Sequence, residues 1–579
     1  MVTIGGAFEV AFDGGPTPSI RSGGVGETNS AAIATDARPA MDKRPRKGVV
    51  LAAGRGSRLS SYTKKPKLLQ PLLGMPLLER SVRVLLRAGL EEVYVVYGAF
   101  PEIAESCSRS FRGTRARVQP VYAPRWQEGN GASLAAVAPF IGEDEAFVSI
   151  AADHLTDVAS IERLMQAQAP AVLVDCGAPD GIDFEEATKV VCQAQYDSRS
   201  SNEGIQEVVT PLPTVAGPVS DSSNLEPSGT DADLLPGSES CPAGLAGRGD
   251  CSWQVVDIGK EVTPAPGSRV FLDAGAHLLT GEVFAFLGPA PNGEEVSVSR
   301  ALRALAATGR LRAVPLPKGA VWQDIDTPED LAWAKRKLLR SLRSDKDGLV
   351  ARYFNRPLSL AMTRAISRLR PSPNAMSFAA FLTALLAAAA VALPDFPRIV
   401  AAALVQFASV IDGVDGEVAR ATFRDTRFGA FLDGILDRVG DAAVLAAVGI
   451  KFVQGGGSPA VAIALVAGAI SAAMLSMASK DKLSLLLKGS KEPSGEAEKS
   501  ERQGSQVTGL SLEEVGRSRE TVERIAGNIL AGRDGRLFLV ALFVAAGWFW
   551  LALVAVCVSG AAGLAVRTWG AARILSESS

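Results

Sequence analysis

Residues 375–393 are almost uninterruptedly apolar, and they follow directly on residues 335–370, which hold eleven Lys or Arg. A helix of that length crosses a ~30 Å hydrocarbon layer, and a cationic flank marks the side retained in the cytoplasm. Further apolar segments occupy 399–411, 428–453, 460–477 and 537–566. The last is long enough for two short helices turning at Gly547, which gives six crossings with both termini cytoplasmic; one long helix would put the C-terminus outside. The C-terminal part, residues 341–579, is therefore expected to be an all-α multi-pass transmembrane domain in the cell (inner) membrane, with the lipid bilayer as its partner.

Residues 1–340 read differently. A chain of 579 residues exceeds the size of one core, and the hydrophobic fraction of 47% averages a soluble half with a membrane half. Sixty Lys plus Arg against 62 Asp plus Glu leave a formal charge of -2, which removes the basic excess of a dedicated nucleic-acid binder. Six cysteines without a C-x-x-C and only two histidines argue against a disulfide framework or a zinc site, and for a reducing cytoplasmic setting. Residues 1–45 are rich in Gly, Ala, Ser, Thr and Pro with no basic-then-apolar leader pattern, and read as a disordered tail.

Order is expected from Gly48, where an apolar run ends in Gly54, and strands then alternate with amphipathic stretches. The strand-like runs 92–97 and 146–152, the latter ending at Asp153, predict an α/β Rossmann-like domain with a mostly parallel sheet over residues 46–340. Ligands of such sheets gather at the carboxyl ends of strands, where Gly54 and Asp153 fall. Residues 193–252 turn to Ser, Gly, Pro and Asp with few apolar side chains, and read as a disordered insertion in the loop of a hairpin. Residues 489–519 read similarly, as a flexible cytoplasmic loop.

In the soluble half, Leu51, Ala52, Ala53 and Gly54 lead into Arg55-Gly56-Ser57-Arg58-Leu59, followed by Pro66-Lys67-Leu68-Leu69. Glycines admit backbone N–H groups to phosphates, and Arg58 and Lys67 can neutralise charge on a triphosphate under attack. A glycine turn with surface cations would explain Gly54-Arg55-Gly56 alone but not the extended pattern. L-A-A-G-x-G-x-R-L with a downstream P-K-x-L resembles the sugar-phosphate nucleotidyltransferase family. The resemblance implies that Asn130 and Gly131 in Gln127–Leu134 read the base, and that Asp153 and Asp326 hold metal, with Asp324 as runner-up to Asp326. Asp326 could instead cap the helix that follows it. His154 is set aside, since Mg2+ prefers oxygen ligands.

In the membrane half, Asp412, Asp415, Asp433 and Asp437 recur at intervals of three and four, so each pair lies on one face of a helix. Carboxylates beside hydrocarbon are costly unless paired or bound to cations, which points to a metal site rather than a solvated loop. Gly416, Ala419 and Gly429 would let helices and ligand approach closely. D-x-x-D-G-x-x-A-R-x(8)-G-x-x-x-D-x-x-x-D resembles the CDP-alcohol phosphotransferases at every fixed position. What that implies is metal at Asp412, Asp415, Asp433 and Asp437, nucleotide contacts at Gly416, Ala419, Arg420 and Gly429, and Asp437 also as the base that takes the acceptor proton. Arg352, Arg356 and Arg364 could bind an acceptor phosphate, or could equally be topology determinants or headgroup contacts.

The fused order resembles bifunctional inositol-1-phosphate cytidylyltransferase and di-myo-inositol phosphate phosphate synthases. It implies CTP and an alcohol phosphate as first substrates, a CDP-alcohol as intermediate, Mg2+ (or Mn2+) as cofactor, and a homodimer through the membrane domain. Two alternatives are carried: a phospholipid synthase using CDP-diacylglycerol fused to a nucleotidyltransferase for another alcohol phosphate, and a non-catalytic membrane-tethered nucleotide sensor.

Overall fold

Strand β1 (Lys47–Ala52) reads KGVVLA and is buried on both faces, the pattern of a strand covered by helices on either side of a sheet. In the computed structural model, which describes residues 44–56, 66–177, 184–195, 252–264, 266–289, 295–343, 347–489 and 532–577, it lies inside a nine-stranded sheet. The other strands are β2 (Glu92–Tyr97), β3 (Arg117–Tyr122), β4 (Ala146–Ala151), β5 (Ala171–Asp175), β6 (Lys189–Gln195), β7 (Ser252–Gly259), β8 (Arg269–Thr280) and β9 (Arg312–Pro315), in the order β3-β2-β1-β4-β8-β5-β9-β7-β6.

The first four strands are parallel, joined by helical crossovers that include α1 (Leu77–Arg87), whose buried Leu77, Leu78, Ser81, Val82 and Leu85 form one face. Beyond them the sheet is mixed: β9 still runs parallel to β5, but two strands are reversed. Strand β8 runs antiparallel to β4, β5 and β6, and β7 runs antiparallel to β6 and β9. No helix is interposed between β6 and β8 among the described residues, and a parallel return needs a crossover.

β6 and β7 pair as a hairpin with Gln195 opposite Ser252, so strand continues three residues into the stretch read as the 193–252 insertion, and Ser252 is strand as well. The rest of that insertion, residues 1–43 of the expected tail and all but Gly489 of the 489–519 loop lie outside the described residues.

After α2 (Pro328–Ser341) and the short helix α3 (Arg356–Ile366) come six long helices: α4 (Pro373–Ala392), α5 (Arg398–Ala421), α6 (Arg427–Gln454), α7 (Pro459–Gly489), α8 (Arg533–Ala546) and α9 (Phe549–Glu577). Four have stretches long and apolar enough to cross a membrane: Pro373–Ala392, Arg398–Ala421, Pro459–Ser479 and Phe549–Gly570. α6 carries too many charges and α8 is too short at 14 residues to qualify by that measure. Gly547 ends α8 at φ 81, a left-handed conformation that glycine adopts without the Cβ penalty, and it separates α8 from α9 as its position in the sequence suggests.

Half of the buried residues of the bundle interior are alanines, Ala387, Ala401, Ala447, Ala469 and Ala552 among them, with Val and Leu between them, while Phe378, Leu386, Ile399, Phe431 and Ile463 are exposed. Small residues inside and large apolar ones outside is the arrangement of helices packed in lipid. A separate core joins the two halves: Leu72, Leu77, Ile325 and Leu338 of the α/β part pack with Leu360 of α3 and Ala421 of α5.

Two candidate active sites

Leu51 of β1 stands beside Ala151 of β4, so the loops that follow them leave the same edge of the sheet. Ala52 and Ala53 are buried, Gly54 is exposed, and Lys67 enters from a single 3-10 turn with only 4% of its surface exposed. Its Nζ donates to Asp153 Oδ2 at 2.9 Å and to Asp326 Oδ1 at 2.5 Å. Burial alone would lower the Lys67 pKa, but the two carboxylates outweigh it and raise it, so the side chain is a firm cation. Burial would likewise raise Asp153, but Lys67 and His154 hold it below the ordinary carboxylate value.

Asp324 joins this group. Oxygens of Asp153, Asp324 and Asp326 gather within 4.8 Å of one another, a spacing and donor set that fit a hard divalent cation. The helix that follows is capped by Thr327, reciprocated by Asp330, which frees Asp326 from the capping role and turns it to Lys67. His154 sits behind the carboxylates, its Nδ1 3.1 Å from the Ala274 carbonyl and its Nε2 3.6 Å from Asp324. Burial disfavours the charged ring, yet Asp324 and Asp153 raise the His154 pKa overall. Only glycine fits at 275: a Cβ there would fall 2.3 Å from His154 Nδ1.

A cavity of 640 Å3 opens beside these residues, lined by Leu51, Asn130, Asp273, His277, Asp324 and Asp326 among others. Asn130 accepts from Val298 N–H at 2.8 Å, and Gly131 N–H donates to Val296 O at 2.8 Å, which fixes the expected base-reading segment at its wall. Asp273 and His277, paired at 3.1 Å, carry no local pattern that sequence reading could have used. Arg58 lies outside the described residues.

The second cluster is made by α5 and α6. Oxygens of Asp412, Asp433 and Asp437 also gather within 4.8 Å, and Asp412 Oδ1 is buried with no hydrogen-bond partner, an orphan acceptor that a bound cation would satisfy. Asp415 is within hydrogen-bonding reach of Asp433 and accepts from Ser377 of α4.

Arg533 at the start of α8 enters the same group, with Nη1 2.6 Å from Asp412 and Nη2 3.1 Å from Asp437 and 3.0 Å from Asp441. It was not foreseen, although Asp441 continues the four-residue step of Asp433 and Asp437. Arg533 also lines a cavity of 360 Å3, together with Arg438, Arg536, Arg567 and Ser476 among others. Four arginines in one lining, beside the apolar Ala430, Phe431 and Met477, suit a phosphate carried on a larger group.

Other expectations are redistributed. Arg356 pairs with Asp347 at 2.7 Å and with buried Glu417 at 3.0 Å, so it serves packing rather than an acceptor. Arg352 and Arg364 are exposed. Gly416 does not mediate helix approach; the nearest atom to a Cβ there is Arg420 Nη1 of its own helix at 3.1 Å. Gly440 supplies the close contact instead: a Cβ there would fall 3.1 Å from the Ala384 side chain of α4. Gly429 N–H donates to Thr426 at 2.9 Å, the N-cap of α6, and Ala419 O accepts from Arg424 N–H at 3.0 Å where α5 ends.

Known proteins share this composite plan. The MobA-like NTP transferase domain matches residues 48–185, and the CDP-alcohol phosphatidyltransferase family matches 371–487. A Rubrobacter xylanophilus protein named bifunctional IPC transferase and DIPP synthase is 32% identical over 424 residues, covering 72% of this chain and 81% of that protein. The chain belongs to that family. Proteins of the same name from Thermococcus kodakarensis and Aquifex aeolicus are 27% and 26% identical, over 69% of this chain and 75% and 76% of theirs. Among solved structures, the inositol-1-phosphate CTP transferase from T. maritima is similar at 18% identity and a TM-score of 0.36, covering 51% of this chain and 96% of that one. The chain is thus a two-part transferase, a nucleotidyltransferase joined to a CDP-alcohol phosphotransferase.

Proposed function

We propose that residues 46–340 convert CTP and inositol 1-phosphate to CDP-inositol and diphosphate. Residues 341–579 then transfer phosphoinositol from CDP-inositol to a second inositol 1-phosphate, releasing CMP. The observation that carries this reading is the presence, in one chain, of two carboxylate clusters of different company: one with a buried lysine at a sheet edge, the other beside an arginine-lined cavity.

In the first reaction a phosphate oxygen of inositol 1-phosphate attacks the α-phosphorus of CTP, and diphosphate leaves. Lys67 supplies a fixed positive charge to the phosphates, and the walls around Asn130 and Leu51 hold the base. Asp153, Asp326 and Asp324 would hold Mg2+ or Mn2+, which when bound screens the charge of the triphosphate.

In the second reaction an inositol hydroxyl gives its proton to Asp437, its oxygen bonds to the inositol-bearing phosphorus of CDP-inositol, and the bond to CMP breaks. Asp412, Asp415, Asp433 and Asp437 would hold the cations there. The arginine cavity supports a phosphorylated acceptor: Arg438, Arg536 and Arg567 can seat its phosphate, which places the ring hydroxyls toward Asp437. We further propose that all six long helices cross the membrane and that the nucleotidyltransferase part is cytoplasmic, where CTP is available.

Purified protein incubated with CTP, Mg2+ and a panel of alcohol phosphates tests the reading, with products identified by mass. Inositol 1-phosphate is expected to give CDP-inositol and then the phosphodiester. Turnover of a different alcohol phosphate, or transfer only from CDP-diacylglycerol, would overturn it.

A further inference from the structure

The two halves of the membrane motif are joined by a turn of five residues, Thr422 to Thr426, between the end of α5 at Ala421 and the start of α6 at Arg427. That turn sets how Asp412 and Asp415 on α5 face Asp433 and Asp437 on α6. It is held from outside the membrane bundle. Arg80 of α1, 3% exposed, donates from Nη2 to the Ala421 carbonyl at 2.6 Å and to the Leu72 carbonyl at 3.1 Å, and its guanidinium lies 5.6 Å over the Phe423 ring.

The Ala421 carbonyl belongs to the last turn of α5, where carbonyls lack helical partners and a cation is favourable. Burial lowers the Arg80 pKa to about 10, which leaves it charged at neutral pH.

Two turns further along the same face of α1, Arg87 makes a bidentate pair with Asp425 at 2.8 and 2.9 Å and donates to the Phe423 carbonyl at 3.2 Å. Phe423 itself takes φ 51, a conformation a bulky residue holds only when its surroundings fix it, and its ring packs on the core of the α/β part. Asp425 and Arg87 are each about half exposed, so their value lies in geometry rather than in net stability.

We propose that Arg80 and Arg87 are positioning residues for the transfer reaction: the α/β part grips the turn between α5 and α6 and thereby fixes the spacing of the four aspartates. This rests on the reading above that those aspartates perform the transfer. A rigid turn outside the site then governs alignment inside it, and small misalignments of reacting groups are costly.

Charge exchange across the exposed pair tests this in the full-length protein. Arg87→Asp and Asp425→Arg, each alone, should lower kcat for transfer from supplied CDP-inositol about tenfold. KM should stay within about twofold, and half-saturating Mg2+ should rise, because only alignment is lost. Diphosphate release from CTP should stay at the parental rate, and the double exchange should restore transfer. Parental kcat in both single variants, an equal fall in both activities, or no rescue in the double exchange would overturn the proposal.

Amide exchange across residues 421–430 gives a second measure that needs no turnover. It should quicken in each single variant and recover in the double one, and unchanged exchange would also overturn the proposal. Were the parent itself inert with CDP-inositol, the functional reading would fail, while the exchange measurement would still judge the grip.

Discussion

Arg533 Nη1 lies 2.6 Å from Asp412 Oδ2, which places a guanidinium inside the carboxylate cluster that the membrane motif builds. The same side chain lines the arginine cavity, so one residue borders both the cation group and the proposed acceptor phosphate. Three carboxylates, Asp412, Asp437 and Asp441, share this one cation.

Arg533→Gln should therefore abolish transfer while leaving diphosphate release from CTP intact. Removing the cation leaves like charges facing each other at low exposure, a defect of about 3 kcal/mol or more when no divalent ion is present. The measurement is a thermal melt with chelator and then with Mg2+. The variant should be less stable than the parent in chelator and should regain most of the difference with Mg2+. An equal loss under both conditions would show that Arg533 is only a packing residue.

What could be read in the sequence is what is local in it. Leu51 to Gly54 and Lys67 follow a buried strand within a few residues, and the aspartates at 412, 415, 433 and 437 repeat at helical spacing, so periodicity and glycines expose both. The turn at Gly547 was legible for the same reason. The sheet's mixed polarity was not, because β6 to β8 declare their partners only through pairings far apart in the chain. Arg533, Arg536 and Arg567 join the Asp433 and Asp437 helix through packing alone. Their one sequence signal was an ionisable side chain beside or within an apolar segment, which reads as functional by default. Arg356 stayed open because a cation next to a membrane helix has the same sequence appearance whether it meets a phosphate or Glu417.

The first site makes its own prediction. Asp153 accepts from Lys67 at 2.9 Å and stands with Asp324 and Asp326. Asp153→Ala should lower diphosphate release from CTP on the order of 10²–10³-fold, the scale of losing one preorganised electrostatic group. Transfer from supplied CDP-inositol should persist. Normal diphosphate release would remove Asp153 from the site.

Gln195 and Ser252 face each other across the hairpin, so the chain between them begins and ends at neighbouring points. Deleting most of residues 202–249 shortens the connection without moving its ends, and the entropy of closing a connection changes slowly with its length. Both activities should stay within about threefold of the parent, measured as diphosphate release and as transfer from CDP-inositol. Loss of either would give the segment a structural or regulatory part.

Asp437 sits one turn after Asp433 on α6, and both contribute oxygens to the group that includes Asp412. Assigning it the acceptor proton requires a carboxylate oxygen that is basic and close to the arginine cavity, and Arg533 touches Asp437 from that cavity's wall. Asp437→Asn keeps the shape and removes the basic oxygen. General-base loss costs about 10²–10⁴ in rate, and nothing at the sheet-edge site, which shares none of these residues, should change. Supplied with CTP and inositol 1-phosphate, the variant should therefore stop at CDP-inositol, which accumulates in the mass spectrum as diphosphate is released at the parental rate. Phosphodiester formed as fast as by the parent would show that another group takes the proton, and a variant that makes neither product would place Asp437 in the folding of the chain instead.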